Sequence, residues 1–148
     1  MNQTERLANA VAGVASATRR PVAIVGWSLG GVLAREVARD RPDIVAQVIT
    51  FGTPVMGGPS YTALSGYYSA ERLAAIRAEI AGRNRRPIDV PVTAIWSPND
   101  GIVTPEACID ERTAHAAHVT VSSTHLGMGI DPDVWAVVAQ RLAGPTRP

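Results

Sequence analysis

Three residues in this chain have the types and the order needed for nucleophilic catalysis. Ser28 stands in the run VAIVGWSLGG, Asp100 in SPNDG and His125 in SSTHLG. A serine hydroxyl is a poor nucleophile until a base removes its proton. His125 is the candidate general base, and it would later return the proton to the leaving group. Asp100 is the candidate that holds the imidazole tautomer and stabilises the imidazolium. The backbone N–H of Leu29, the residue after the serine, is the candidate oxyanion donor. Asp110 is the runner-up acid, but it reads as lying in mid-helix, away from a strand end. His115 and His118 read as structural or exposed.

These side chains need elements to hold them. Val22–Val25 is a short continuous apolar run with two Val and an Ile, the pattern of a buried parallel strand. A helix starts near Ser28, with Leu29, Val32, Leu33 and Val37 on its apolar face and Arg35, Glu36, Arg39 and Asp40 facing out. Gly26 and Gly30 are expected to be small because strand and helix crowd each other at that turn. Before this unit, Leu7, Val11, Val14 and Thr18 form the stripe of an N-terminal helix with Thr4 as its cap. After it come a strand over 47–51, a loop rich in Gly, Pro, Ser and Tyr over 54–68, and a helix capped by Ser69. A strand over 90–96, a helix over about 104–113 and a strand over 118–121 follow. The last helix is capped by Asp131 and Pro132, with Trp135, Val138 and Leu142 as its stripe. Helices alternating with strands predict a parallel sheet flanked by helices on both faces. In such sheets the active groups gather at the carboxyl ends of the strands. Ser28, Asp100 and His125 each follow a predicted strand.

The motifs VGWSLGG, ITFGTP, SPNDGIV and STHLGMG together resemble the lipase- and esterase-like members of the α/β-hydrolase superfamily, of the actinobacterial type. The resemblance runs from Val25 to Gly129 and so covers most of the chain. It implies an α/β fold: a truncated α/β-hydrolase, mainly a parallel sheet of about four strands flanked by helices. It also implies hydrolysis of carboxylic esters with small to medium acyl chains through an acyl-enzyme, with Ser28, Asp100 and His125 as the triad. Residues 1–148 are expected to form one minimal domain, with a cap-like insertion at about 54–89. Trp27, Tyr61 and Leu64 are candidate substrate-binding residues, with Tyr67 and Tyr68 nearby.

The family's nucleophile strand is usually the fifth of eight; here it is the first. The strands that normally precede it are missing, and with them the loop that donates the second oxyanion N–H. Backbone N–H groups in the Gly52–Gly58 loop are the candidate replacements. The missing strands also leave the strand at 22–26 as an exposed edge, open to a homodimer or another partner. An alternative function follows: a weak or inactive hydrolase fragment that associates through that edge.

Composition excludes other classes. The chain is 46% hydrophobic and 18% charged, with a net charge of +1 and its basic residues all arginine and scattered. Nothing in that balance points to nucleic acid. The single cysteine, Cys108, allows no internal disulfide and reads as a small buried hydrophobe. No signal peptide or membrane span is read, so the expected location is the cytoplasm. No metal cluster or phosphate loop is seen and no cofactor is implied; the expected partner is a small-molecule ester, with water as second substrate.

Overall fold

The computed structural model describes residues 2–56, 62 and 65–144. The four strands are β1 (Val22–Trp27), β2 (Val45–Phe51), β3 (Val92–Trp96) and β4 (Ala117–Thr120). They form one sheet in the order β1-β2-β3-β4, with every neighbouring pair parallel. The helices are α1 (Gln3–Thr18), α2 (Leu29–Asp40), α3 (Ala70–Arg83), α4 (Pro105–Cys108) and α5 (Pro132–Leu142).

Side chains alternate across each strand, so the sheet builds two cores. On one face Val45, Val48 and Val92 pack with Val11 of α1 and with Ala34, Val37 and Ala38 of α2. On the other, Ile49, Phe51 and Ile95 pack with Met128 and with Val134 and Val138 of α5. A third, small cluster joins Val103, Ala107 and Cys108 beneath Trp96.

Several local expectations need correction. Asn2, rather than Thr4, caps α1, in a reciprocal capping box with Glu5. Val14 and Leu142 are half exposed, and Val134 replaces Trp135 on the buried face of α5. The helix expected over 104–113 stops at Cys108. Asp110 therefore lies beyond it rather than in mid-helix, and its carboxylate caps the next turn by accepting from the N–H groups of Arg112 and Thr113.

The outer face of α2 departs most from its periodicity. Leu29 is exposed, whereas Arg35 and Arg39 are buried. Arg35 reaches through the core to pair with Asp110. Arg39 donates to the carbonyl of Arg86 at 2.8 Å and to Asn84 at 2.9 Å, and it pairs with Glu36. The segment after α3 closes over the Arg39 guanidinium, and the turn after α4 closes over that of Arg35. Around them Arg83 pairs with Glu36 and Asp40, and Arg86 pairs with Asp40.

Candidate active site

β1 ends at Trp27, and Ser28 turns the chain into α2. Its backbone sits at φ 53° and ψ −123°, a region an L-residue adopts only under constraint. The constraints are visible. The N–H of Ser28 donates to the carbonyl of Phe51 at 3.0 Å, and its own carbonyl accepts from Gly31 at 3.1 Å. The Ser28 side chain makes no capping bond to the helix it precedes, so its hydroxyl is not spent on structure there.

The close crossing of strand and helix rests on Gly26 and Gly31, not on Gly26 and Gly30. A Cβ on Gly26 would lie 2.5 Å from the Cα of Gly31, and one on Gly31 would lie 2.1 Å from Oγ1 of Thr53. A Cβ on Gly30 would meet nothing within 4 Å.

β3 delivers Asp100 through a tight turn. Asp100 is 3% exposed, and its two carboxylate oxygens do different work. Oδ1 accepts from the N–H groups of Ile102 at 2.9 Å and Val103 at 2.6 Å. Oδ2 lies 2.8 Å from Nδ1 of His125. The backbone holds the same pair together, because the N–H of His125 donates to the Asp100 carbonyl at 2.8 Å. Asn99 ties the turn to the exit of β4 by donating to the carbonyl of Ser122. With Nδ1 donating to a carboxylate, the imidazole carries its proton there and leaves Nε2 free to accept.

Asp110 stands elsewhere, paired with Arg35, and its backbone N–H donates to Nε2 of His118. Burial pushes its carboxyl up, but the Arg35 charge and the bonds from Thr113 and Arg35 outweigh that and bring it down to about 2. The thiol of Cys108 is pushed up to about 12, first by burial and then by the charge of Asp100, so it is an unreactive thiol beside the acid turn.

Trp27 lies against the histidine, with ring centroids 5.7 Å apart. It stacks on Phe51, which meets Trp135 edge-on. Trp135 fixes the histidine loop by donating from Nε1 to the carbonyl of Gly129 at 2.9 Å. Tyr61 and Leu64 lie outside the described residues. Tyr67 is 85% exposed.

No protein-family model matches the chain. No curated protein matches it. Solved structures do. A type II thioesterase, BorB, from the borrelidin biosynthetic cluster is 22% identical, with a TM-score of 0.62 over 95% of this chain and 70% of its own. The enol-lactonase from Burkholderia xenovorans LB400 is 17% identical, with a TM-score of 0.66 over 96% of this chain and 74% of its own. A lipase-esterase related protein from Clostridium acetobutylicum ATCC 824 is 14% identical, with a TM-score of 0.67 over 95% of this chain and 73% of its own.

The chain has an α/β-hydrolase-like fold. It is truncated relative to those structures, spanning 70% and 74% of the thioesterase and lactonase chains, which match it over nearly its whole length.

Gly52, expected from the sequence only as part of a donor loop, lies instead against the His125–Asp100 pair. It ends β2 at φ +54°. A Cβ there would sit 3.0 Å from Nδ1 of His125 and 3.1 Å from Oδ2 of Asp100. The signal was present in Phe-Gly-Thr-Pro, a glycine at a strand end. Gly52→Ala is expected to displace the His–Asp pair, to cut ester hydrolysis by about tenfold or more, and to cost about 1–3 kcal/mol of stability from backbone strain. Steady-state kinetics beside urea denaturation checks both; unchanged values in both would show that the pair has room.

The described amides of the loop after β2 are already engaged. Gly52 donates to Ile95, and Val55 and Met56 both donate to Ala107. The N–H of Thr53 faces the thiol of Cys108. Pro54 has none. The amides of Gly52, Val55 and Met56 are therefore not free to serve as a replacement oxyanion donor, and Gly57 and Gly58 lie outside the described residues. The N–H of Leu29 opens a helix, where the first turn has no intrahelical acceptor.

Among the described residues no cluster of acidic, histidine or cysteine side chains could hold a metal, and no helix is long and apolar enough to cross a membrane.

Proposed function

We propose that this chain is a serine hydrolase that cleaves carboxylic esters through an acyl-enzyme, with Ser28 as nucleophile, His125 as general base and acid, and Asp100 as the group that orients it. The observation carrying the reading is the buried His125–Asp100 pair, held at the same end of the sheet as the strained turn at Ser28. The solved structures of the same fold include an esterase, a lipase and a thioesterase by their names, which supports a hydrolase of acyl compounds.

Oγ of Ser28 attacks the ester carbonyl carbon while Nε2 of His125 takes the hydroxyl proton. The N–H of Leu29 stabilises the oxyanion. The intermediate collapses, the C–O bond to the alcohol breaks, and His125 gives the alcohol the proton. Water then attacks the acyl-serine by the same route, releasing the carboxylic acid and restoring Ser28. Trp27, beside His125, offers an apolar wall for the acyl or alcohol group, and Leu29 and Leu126 present exposed apolar side chains next to Ser28 and His125. We place this domain, with 54–89 as its cap-like insertion, in the cytoplasm, acting on small to medium acyl esters without a cofactor.

The test is hydrolysis of p-nitrophenyl acetate by the wild type beside Ser28→Ala. The variant is expected to fall by about 10³-fold or more, to background. A second reading, a catalytically weak hydrolase, is favoured by one observation: the amides of Gly52, Val55 and Met56 are engaged elsewhere. One missing oxyanion donor costs about 10²–10³ in rate. Under that reading the wild type turns over slowly but still loses its activity with Ser28. Equal rates in wild type and variant would contradict both.

A further inference from the structure

The imidazole of His125 is held by more than Asp100. Gly52 backs it closely, since a Cβ there would lie 3.0 Å from Nδ1 and 3.1 Å from Cε1. The ring of Trp27 also lies against it, tilted by 36°. Trp27 ends a strand, and a side chain there has several rotamers open to it. Two contacts remove that freedom. Its ring stacks on Phe51, with planes within 15° and centroids 6.2 Å apart. Its far edge faces Gly129, where a Cβ would lie 3.9 Å from Cη2 and Cζ3.

Both supports of Trp27 are in turn held by Trp135. Trp135 stands near the start of α5, beside Val134, which anchors that helix in the core. Its ring meets Phe51 edge-on at 6.0 Å, an arrangement that aromatic pairs favour. Its Nε1, the one donor of an indole, bonds the carbonyl of Gly129 at 2.9 Å. Gly129 belongs to the turn that follows His125. The bonds within that turn run from Met128 to Thr124, Gly129 to Leu126 and Ile130 to Gly127. They shape the turn without tying it to the rest of the fold. The Trp135 bond supplies such a tie. The contacts form a closed circuit: His125, Trp27, Phe51, Trp135, Gly129, and back along the chain to His125.

We propose that Trp135 is a positioning residue for the reaction, acting on His125 through Trp27 and Gly129. The proposal rests on the serine-hydrolase reading above. The general base must keep Nε2 on Ser28 in one step and present it to the leaving alcohol in the next. A misplacement of about 1 Å costs about 10²-fold in rate. Trp135 acts on the orientation of the base, so its loss falls on kcat and not on KM. Phenylalanine at 135 keeps the ring on Phe51 and removes the donor. Leucine removes both.

Steady-state hydrolysis of p-nitrophenyl acetate by Trp135→Phe is expected to show kcat lowered by about threefold or more, with KM within about twofold of wild type. Trp135→Leu is expected to lose about tenfold to 10²-fold in kcat. Val138→Ala, a buried change on the same helix, lies outside the circuit. It is expected to lower stability and keep kcat. A second readout needs no turnover. The proton between Nδ1 of His125 and Asp100 gives a far-downfield proton resonance in the wild type, which Asp100→Asn removes. The line is expected to broaden by exchange with water in Trp135→Leu and to stay sharp in Val138→Ala. A line that depends on Trp135 in a chain without ester turnover would sink the hydrolase reading and leave the positioning of His125 standing. A line equally sharp in wild type and Trp135→Leu, or absent from both, would overturn the inference. So would a Trp135→Leu defect confined to KM.

Discussion

Asp100→Asn is expected to fold and to lose about 10³–10⁴-fold in ester hydrolysis. The reason lies in how the carboxylate divides its work. Oδ1 accepts from two backbone N–H groups, so the asparagine must keep its carbonyl oxygen there. Its NH₂ then faces Nδ1 of His125, where Oδ2 of the aspartate stood. A donor facing Nδ1 forces the proton of the neutral imidazole onto Nε2. That is the tautomer that cannot accept from Ser28. Because both turn hydrogen bonds survive, the melting temperature should move little while kcat collapses. Loss of less than about tenfold in kcat, with the fold intact, would mean that Asp100 only shapes the turn.

Asp110→Ala is expected to be the most destabilising single change outside the site, by about 3–5 kcal/mol in urea denaturation. It removes the partner of a guanidinium that is 4% exposed and cannot shed its charge. It also removes the acceptor for the N–H groups of Arg112 and Thr113. A domain of this size has about 5–15 kcal/mol in total, so the variant should be close to unfolding. Nη1 of Arg35 is buried without a partner among the described residues. The pair is therefore imperfect, and Arg35→Met with Asp110→Asn should recover much of the loss, since the asparagine keeps the turn acceptor. The same pair sets an acid limit. The carboxyl of Asp110 lies at about 2 in the fold against an ordinary 3.8. Its contribution is whole above the ordinary value and is lost as pH falls from about 4 towards 2. A loss below 1 kcal/mol in Asp110→Ala would show that the pair adds nothing to the fold.

These two aspartates mark what the sequence could and could not carry. Both follow β3 and both read as candidate acids. What told them apart in the sequence was the strand end; in the structure Asp100 lies against His125 and Asp110 pairs with Arg35. The parallel sheet was legible because the first three strands are short, largely apolar runs with Gly or Pro at their ends, and helices separate the strands. The partner of Asp110 was not legible. On a helical wheel Arg35 and Arg39 look like solvent residues, because periodicity records one helix and not what later folds over it. The coverage comes from Asn84, Arg86 and Asp110, 45, 47 and 75 residues away from the arginines they meet. Gly31 was missed for a similar reason. The Gly-x-Ser-x-Gly pattern draws attention to Gly30, whereas the tight contact is with Thr53, on another strand's exit. Gly52 stood in a recognisable motif, but its task is set by a histidine that arrives much later in the chain.

Under the proposed function Ser28 is a nucleophile activated by His125. The most direct measurement is covalent labelling by a p-nitrophenyl phosphonate, read by peptide mass spectrometry on wild type, Ser28→Ala and His125→Ala. The prediction is one phosphonyl group per wild-type chain on the peptide carrying Ser28, none in Ser28→Ala, and labelling slowed by orders of magnitude in His125→Ala. Labelling at another residue, or equal labelling of all three proteins, would contradict it.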